Sequence, residues 1–289
     1  MTFEFEAIGT HWKIQIEDEI SDSKRSDIFN SVMNRIAEYD KNYSRFRADS
    51  LVTEMSQKNG VYTLPEDARP LFDLYQRLYY LTEGAVTPLI GNLLEEAGYD
   101  ANYTFETKEL HVPPKWDDAI LYQFPTLEIK KPVLIDVGAA GKGYLIDIVG
   151  ELLSGMGIRS FSINAGGDIL HVDKSNTSIR VGLEQPGDAT KVIGVATVGN
   201  ESICGSAGSR RTWGKFHHIL NPHTLQSQRT VLAVWVIAKS ALLADALTTC
   251  LFFVEPERMN AAFEFEYVIM YPDFSVVTSK NFQGELFLS

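Results

Sequence analysis

Between Val133 and Asp168 the chain reads as an apolar strand, a glycine-rich turn, a helix and a second strand. The first strand is Val133 to Val137, and the turn is Gly138-Ala139-Ala140-Gly141-Lys142-Gly143. An apolar-periodic helix from Tyr144 to about Leu153 leads to a strand over Ser160 to Ile163, which ends in Asn164-Ala165-Gly166-Gly167-Asp168. Glycines admit a backbone close to a ligand, and a helix start offers unpaired N–H groups to an anion. With Lys142 in the turn, the unit reads either as a site for a phosphorylated ligand or as a tight structural turn. The glycine spacing is not G-x-G-x-x-G, and Lys142 is followed by Gly143 where a P-loop has Ser or Thr.

The chain has 289 residues, 45% hydrophobic and 22% charged, an ordinary globular balance able to bury a sizeable core. With no repeat, low-complexity segment or linker, a single domain over residues 1–289 is expected. The formal charge of −12 argues against a phosphate-tracking nucleic-acid surface. The start, Met1-Thr2-Phe3-Glu4-Phe5-Glu6, alternates like a strand and lacks a basic region before a long apolar run, so no signal peptide is visible. No run reaches the roughly 18 apolar residues of a membrane helix. Cys204 and Cys250 lie in apolar surroundings and read as buried free thiols. A cytoplasmic location is the expectation.

The first strand runs through Ile16, interrupted at Gly9. Asp22 or Ser21 caps a helix with Ile28, Phe29, Val32, Met33, Ile36 and Tyr39 at helical spacing. A polar segment, 42–50, follows. A second helix starts near Pro65 and stops before Gly84, and a short one covers Pro88 to Ala97. Residues 100–131 look irregular, with short strands at Glu109 to Val112, Ile120 to Tyr122 and Leu127 to Ile129. Further strands are expected at Ile169 to Val172, Ile179 to Leu183, Val192 to Val198, Phe216 to Ile219 and Val231 to Ala238. A helix from Ser240 to Val254, a short one from Pro256, and strands at Tyr267 to Met270, Ser275 to Thr278 and Leu286 to Leu288 close the chain. Mixed elements without strict βαβ alternation point to the α+β class.

Four constellations have chemical potential. Asp245 and Thr249 are four apart on the helix after Ser240, so both project from one face. Carboxylate and hydroxyl oxygens suit Mg²⁺, which completes its shell with phosphate oxygens and water; alternatively Asp245 caps locally and Thr249 back-bonds to a helix carbonyl. His217 and His218, on a strand, point to opposite faces, so at most one faces a given site, where it is a plausible general base. Thr10 and Trp12 follow the turn at Gly9 and line either a ring pocket or the core. The loop Ser206-Ala207-Gly208-Ser209-Arg210-Arg211 offers two arginines to phosphate or to solvent.

The order of these blocks matters more than any one of them. Gly9-Thr10-x-Trp12, Ser44-Arg45-Phe46-x-x-x-Ser50, Glu83-Gly84-Ala85-x-x-Pro88, Asp136-x-Gly138-x-x-x-Lys142-Gly143-Tyr144 and Asn164-x-Gly166-Gly167-Asp168 come first. His217-His218-Ile219-x-x-Pro222-x-Thr224 and Ala244-Asp245-Ala246-x-x-Thr249 follow. Over most of the chain this series resembles the ApbE-type flavin transferases, the FAD:protein FMN transferases. The resemblance implies an antiparallel-rich mixed domain with flanking helices and a ligand cleft between two lobes. It also implies Mg²⁺ and FAD, with FMN transferred to a Thr or Ser hydroxyl of an acceptor flavoprotein and AMP released. Asp245, Thr249 and the carbonyl of Gly141 would hold the metal. Flavin and pyrophosphate would lie across Thr10, Phe46, Ser50, Lys142, Asn164, Gly166, Gly167 and Asp168. His218 would help deprotonate the acceptor hydroxyl, with Asp245 as the second catalytic residue.

The chain departs from the family pattern at several points. Ile8 stands for the usual Met, Thr87 for an Asp, Ser209 for an aromatic, Asn221 for an Asp and Leu225 for a Gly. The family's common export signal and lipidation cysteine are not seen. These changes leave a second reading open, a flavin-binding protein or FAD pyrophosphatase with weak or lost transfer.

Overall fold

The computed structural model describes residues 1–287. Its centre is one eight-stranded sheet whose spatial order follows the chain: β1 (Thr2–Ala7), β2 (Thr10–Ile16), β3 (Phe161–Ala165), β4 (Asp168–Val172), β5 (Ser202–Ala207), β6 (Ala233–Ala238), β7 (Glu266–Met270) and β8 (Val276–Thr278). Every neighbouring pair is antiparallel. Helices α1 (Asp22–Tyr43), α2 (Leu51–Gln57), α3 (Ala68–Leu81), α4 (Gly91–Glu96), α5 (Trp116–Ala119) and α6 (Gly141–Gly155) lie between β2 and β3. Helices α7 (Ala241–Cys250) and α8 (Pro256–Asn260) lie between β6 and β7. The α+β, antiparallel-rich class read from the sequence is the class observed.

Local chemistry explains the main elements. In β2 alternate residues Trp12, Ile14 and Ile16 are buried, as a half-buried strand requires. The interruption at Gly9 is a two-residue hairpin turn with positive φ at Ile8 (44°) and Gly9 (73°), the geometry that matches strand twist. Ser21 caps α1 by accepting the Lys24 N–H, and Ile28, Val32, Ile36, Tyr39 and Tyr43 form its buried stripe. Helices α6 and α7 pack on each other and on the sheet; each is apolar over most of its surface, as helices buried on several sides are. Cys204 and Cys250 are buried free thiols.

Some expectations fail. Val133–Val137 joins no sheet. This extended run is pinned to the start of α4 and the turn before it: Leu134 N–H donates to Asn92 Oδ1 at 2.9 Å, its carbonyl accepts the Gly91 N–H at 3.1 Å, and Asp136 N–H donates to Pro88 O at 2.8 Å. Apolar runs buried by packing and by pairing look alike in sequence. Glu109–Val112 is not a strand, and strand pairing in the 216–219 segment ends at His217. The expected loop at Ser206 begins as the end of β5. The last strand is Gly284–Leu286; Leu288 lies outside the described residues.

Candidate active site

The start of β2, the β3–β4 turn and the end of β5 meet at one end of the sheet. Gly166 (φ 62°) and Gly167 (φ 101°) form the turn, and a Cβ on Gly166 would fall 2.2 Å from Thr10 Oγ1. Only glycine fits there. Asn164 Oδ1 accepts the Gly167 N–H at 2.9 Å, fixing the turn from below. Asp168, fully buried, accepts the Gly205 N–H at 3.0 Å through Oδ1 and pairs with the Lys142 ammonium through Oδ2. The lysine read as a phosphate contact is thus anchored to the neighbouring aspartate. Burial pushes its ammonium down from the usual lysine range, and the Asp245 charge opposes that shift.

Above this end, the first turn of α6 lies against α7. A Cβ on Gly143 would meet Ala241 O at 2.0 Å and Asp245 Cβ at 2.6 Å, so a side chain here would force the helices apart. The contact lets Asp245 Oδ2 accept the Gly143 N–H at 2.8 Å. Asp245 is buried, and burial pushes its carboxyl up while Lys142 and the Gly143 N–H hold it down. Local capping by Asp245 is therefore real, but it uses one oxygen. Back-bonding falls to Thr248, which donates to Asp245 O at 2.6 Å and meets Ser206 Oγ at 2.8 Å. Among the described residues, no protein group bonds Asp245 Oδ1 or Thr249 Oγ1. Gly141 O accepts the Tyr39 hydroxyl at 2.8 Å and, as the first carbonyl of α6, also takes the helical N–H of Leu145. Asp245 Oδ1, Thr249 Oγ1 and Gly141 O are hard donors that fit Mg²⁺.

Phe46 follows α1, and His218 follows the short Phe216–His217 strand. Phe46 stacks on Tyr103 at 5.5 Å and 5°. Arg45, 4% exposed, runs beneath it and donates through Nε to Asp136 Oδ2 at 2.5 Å. His218 does not project opposite to His217: with the strand ended, the two rings lie 6.4 Å apart, edge to face. Among the described residues, Nδ1 of His218 is buried without a partner. Burial first, then the Arg211 charge, holds the ring down at about 3, so it is neutral at pH 7. Ser50 is an N-cap: its Oγ accepts the Thr53 N–H at 3.1 Å and donates to Thr53 Oγ1 at 2.9 Å.

Two departures preserve local geometry. Thr87 Oγ1 accepts the Leu89 N–H at 3.2 Å, and Asn221 Oδ1 accepts the N–H groups of His223 and Thr224 at 2.8 and 3.2 Å. Each does what a short acid does at such a turn. Leu225 (φ 59°) instead occupies a left-handed position that favours glycine. Arg45, Asp136 and Tyr39 bond to or pack against these residues although sequence reasoning assigned them no role.

The ApbE family profile matches residues 8–270. This chain belongs to the ApbE family. Proteins named FAD:protein FMN transferase are similar to it. The one from Vibrio cholerae is 25% identical over 276 residues, 89% of this chain and 82% of that protein. The one from Escherichia coli K12 is 23% identical over 294 residues, covering 93% and 82%. A match in Rhodobacter capsulatus, 28% identical over 183 residues, takes in 59% of this ApbE chain and 35% of that longer protein. Among solved structures, the flavin transferase ApbE of Vibrio cholerae superposes with a TM-score of 0.80 at 22% identity over 96% of each chain. The ApbE protein of Thermotoga maritima gives 0.81 at 22% over 97% of each. These likenesses establish the ApbE fold. Among the described residues, no helix is long and apolar enough to cross a membrane.

Proposed function

We propose that this chain is a Mg²⁺-dependent FAD:protein FMN transferase, which moves FMN from FAD to a Thr or Ser hydroxyl of a cytoplasmic acceptor protein and releases AMP. The observation that carries the reading is the close contact of α6 with α7 at Gly143. It brings Asp245 to the start of α6, with Thr249 one turn further along α7, and leaves oxygens on both side chains without protein partners among the described residues. Bound there, Mg²⁺ would offset charge on the pyrophosphate oxygens.

The protein's own groups do the remaining work. Thr10, Asn164 and the Gly166-Gly167 turn form a floor close enough for backbone contact with the ligand. Lys142, held by Asp168, keeps a positive charge beside the metal pair. Phe46 offers a ring face to the flavin, while Ser50 shapes the approach to α2. His218, the residue the family pattern puts beside the acceptor, would take the proton from its hydroxyl. The hydroxyl oxygen forms a new bond to the FMN phosphorus as the anhydride P–O bond breaks, and the electron pair leaves with AMP. The task is positioning and charge stabilisation, with little covalent work for the protein.

Incubation with FAD, Mg²⁺ and an FMN-accepting domain tests this. Covalent flavin fluorescence on the acceptor together with AMP is expected. AMP with free FMN in the presence of acceptor would make the protein a pyrophosphatase, and intact FAD would make it a binder.

A further inference from the structure

Between Ser202 and Ala244 the chain carries five basic residues and no acidic one, in a protein whose formal charge is −12. Arg210 and Lys239 are paired, with Glu184 at 3.0 Å and Glu201 at 2.9 Å. Arg211, Lys215 and Arg229 are exposed, and among the described residues none of them forms an ion pair. A hairpin sets their positions. Thr212–Trp213 pairs antiparallel with Phe216–His217, and the turn between them holds Gly214 (φ 49°) and Lys215. Arg211 O accepts the His218 N–H at 3.3 Å, so Arg211 stands across the hairpin from His218. Arg229 Nη2 donates to Lys215 O at 2.8 Å, which sets the third cation against the tip.

The hairpin is braced by its apolar side chains. Trp213 and Phe216 are buried with Leu93, Leu94 and Ala97, and Trp213 Nε1 donates to Ala97 O at 2.6 Å. At the tip, a Cβ on Gly214 would meet nothing within 4 Å. Three cations therefore run from a free tip to the backbone opposite His218, about 13 Å for four extended residues. Cations strung along a strand match a row of carboxylates on a second extended segment better than the compact charge of one phosphate. The protein's net charge works against a long polyanion such as nucleic acid or an anionic membrane, which would meet the whole surface; a short segment meets only the hairpin. The Arg211 charge also reaches inward. After burial it holds His218 down, and it opposes the upward push of burial on Asp245.

We propose that the face of this hairpin formed by Arg211, Lys215 and Arg229 docks an extended acidic segment of the acceptor protein and so steers the accepting hydroxyl to His218. This rests on the transferase reading above, and the two can fail separately. Full-length wild type, Lys215→Glu and Arg229→Glu, each with FAD and Mg²⁺, are titrated with three short synthetic peptides. Each peptide has one central Thr, flanked by Asp and Glu, by Ser and Asn, or by Lys. Among the described residues the Lys215 ammonium makes no hydrogen bond, so its reversal leaves the hairpin intact. The acidic peptide should bind wild type most tightly. Each reversal should weaken it roughly three- to tenfold, the scale of a surface charge pair turned from attraction to repulsion, and added salt should shrink the difference. With an FMN-accepting domain, KM for the acceptor should rise by the same factor while kcat and FAD affinity hold. Equal binding of the three peptides, unchanged acidic-peptide binding in both variants, or tighter binding of DNA or phosphatidylserine vesicles than of the acidic peptide would overturn the proposal. Acidic-peptide binding that follows the variants, with no FMN transferred to any acceptor, would keep the docking face and overturn the transferase reading instead.

Discussion

Asp147 on α6 accepts the backbone N–H groups of Ala241 and Leu242, each at 2.8 Å, and so caps α7 from the neighbouring helix. Ser240 takes the next one, Leu243 N–H, at 3.2 Å. The helix carrying Asp245 and Thr249 therefore starts at a point set by α6, and the two helices cannot shift independently.

Asp147→Ala should cost about 1–2 kcal/mol in denaturant unfolding, the scale of a lost helix cap, and should lower transfer because α7 loses its anchor. Burial raises the Asp147 carboxyl from 3.8 to about 6. A folded-state value above the unfolded one means that this group's stability contribution is full below pH 3.8 and is lost as pH rises through about 6. Stability measured against pH should show that decline in wild type and not in Asp147→Asn.

Gly143→Ala tests the close approach of the helices. The added methyl has no room against Ala241 O, so destabilisation of about 1–3 kcal/mol is expected from overpacking. Transfer should fall further than that loss explains, because Asp245 moves with the contact. Thermal melts and transfer assays on the same preparation would read both.

Asp245→Asn keeps an acceptor oxygen for the Gly143 N–H while removing the charge. The fold should survive, and transfer should fall by roughly 100-fold or more, several kcal/mol of lost charge stabilisation. Chelation of wild type with EDTA should reproduce the loss, and added Mg²⁺ should reverse it in wild type alone.

His218→Ala should slow transfer by roughly 10²- to 10⁴-fold, the usual span for a general base, with FAD affinity little changed. Because burial holds His218 at about 3, the ring stays deprotonated on acidification well past the ordinary imidazole range. Single-turnover rates should therefore be flat from pH 7 down to pH 5. An acid limb near 6.5 would show that the ring titrates as if exposed.

Legibility from sequence differed by element. Helices α1 and α7 were readable because each has a serine cap followed by strongly patterned apolar residues. The pair Asp245/Thr249 followed from helical spacing. Strand β5 was hidden because Ser202-Ile203-Cys204-Gly205-Ser206-Ala207 is small and polar enough to resemble a loop; its pairing with β4 and β6 decides the matter. Lys142 could not be placed on Asp168, since that ion pair joins α6 to a strand lying beyond the helix. Arg45 looked like a surface residue in a polar segment, and only the packing of Phe46, Tyr99 and Asp136 buries it.

The sheet runs in chain order, but the step from β2 to β3 spans everything between Ile16 and Phe161. Its other adjacent strands are separated by much shorter stretches. The hairpin that supplies Thr10 must join across the widest gap, where ring-closure entropy is greatest and pairing is slowest. During refolding, the rest of the sheet can form before this edge is added, so competence to hold a ligand arrives after most of the secondary structure.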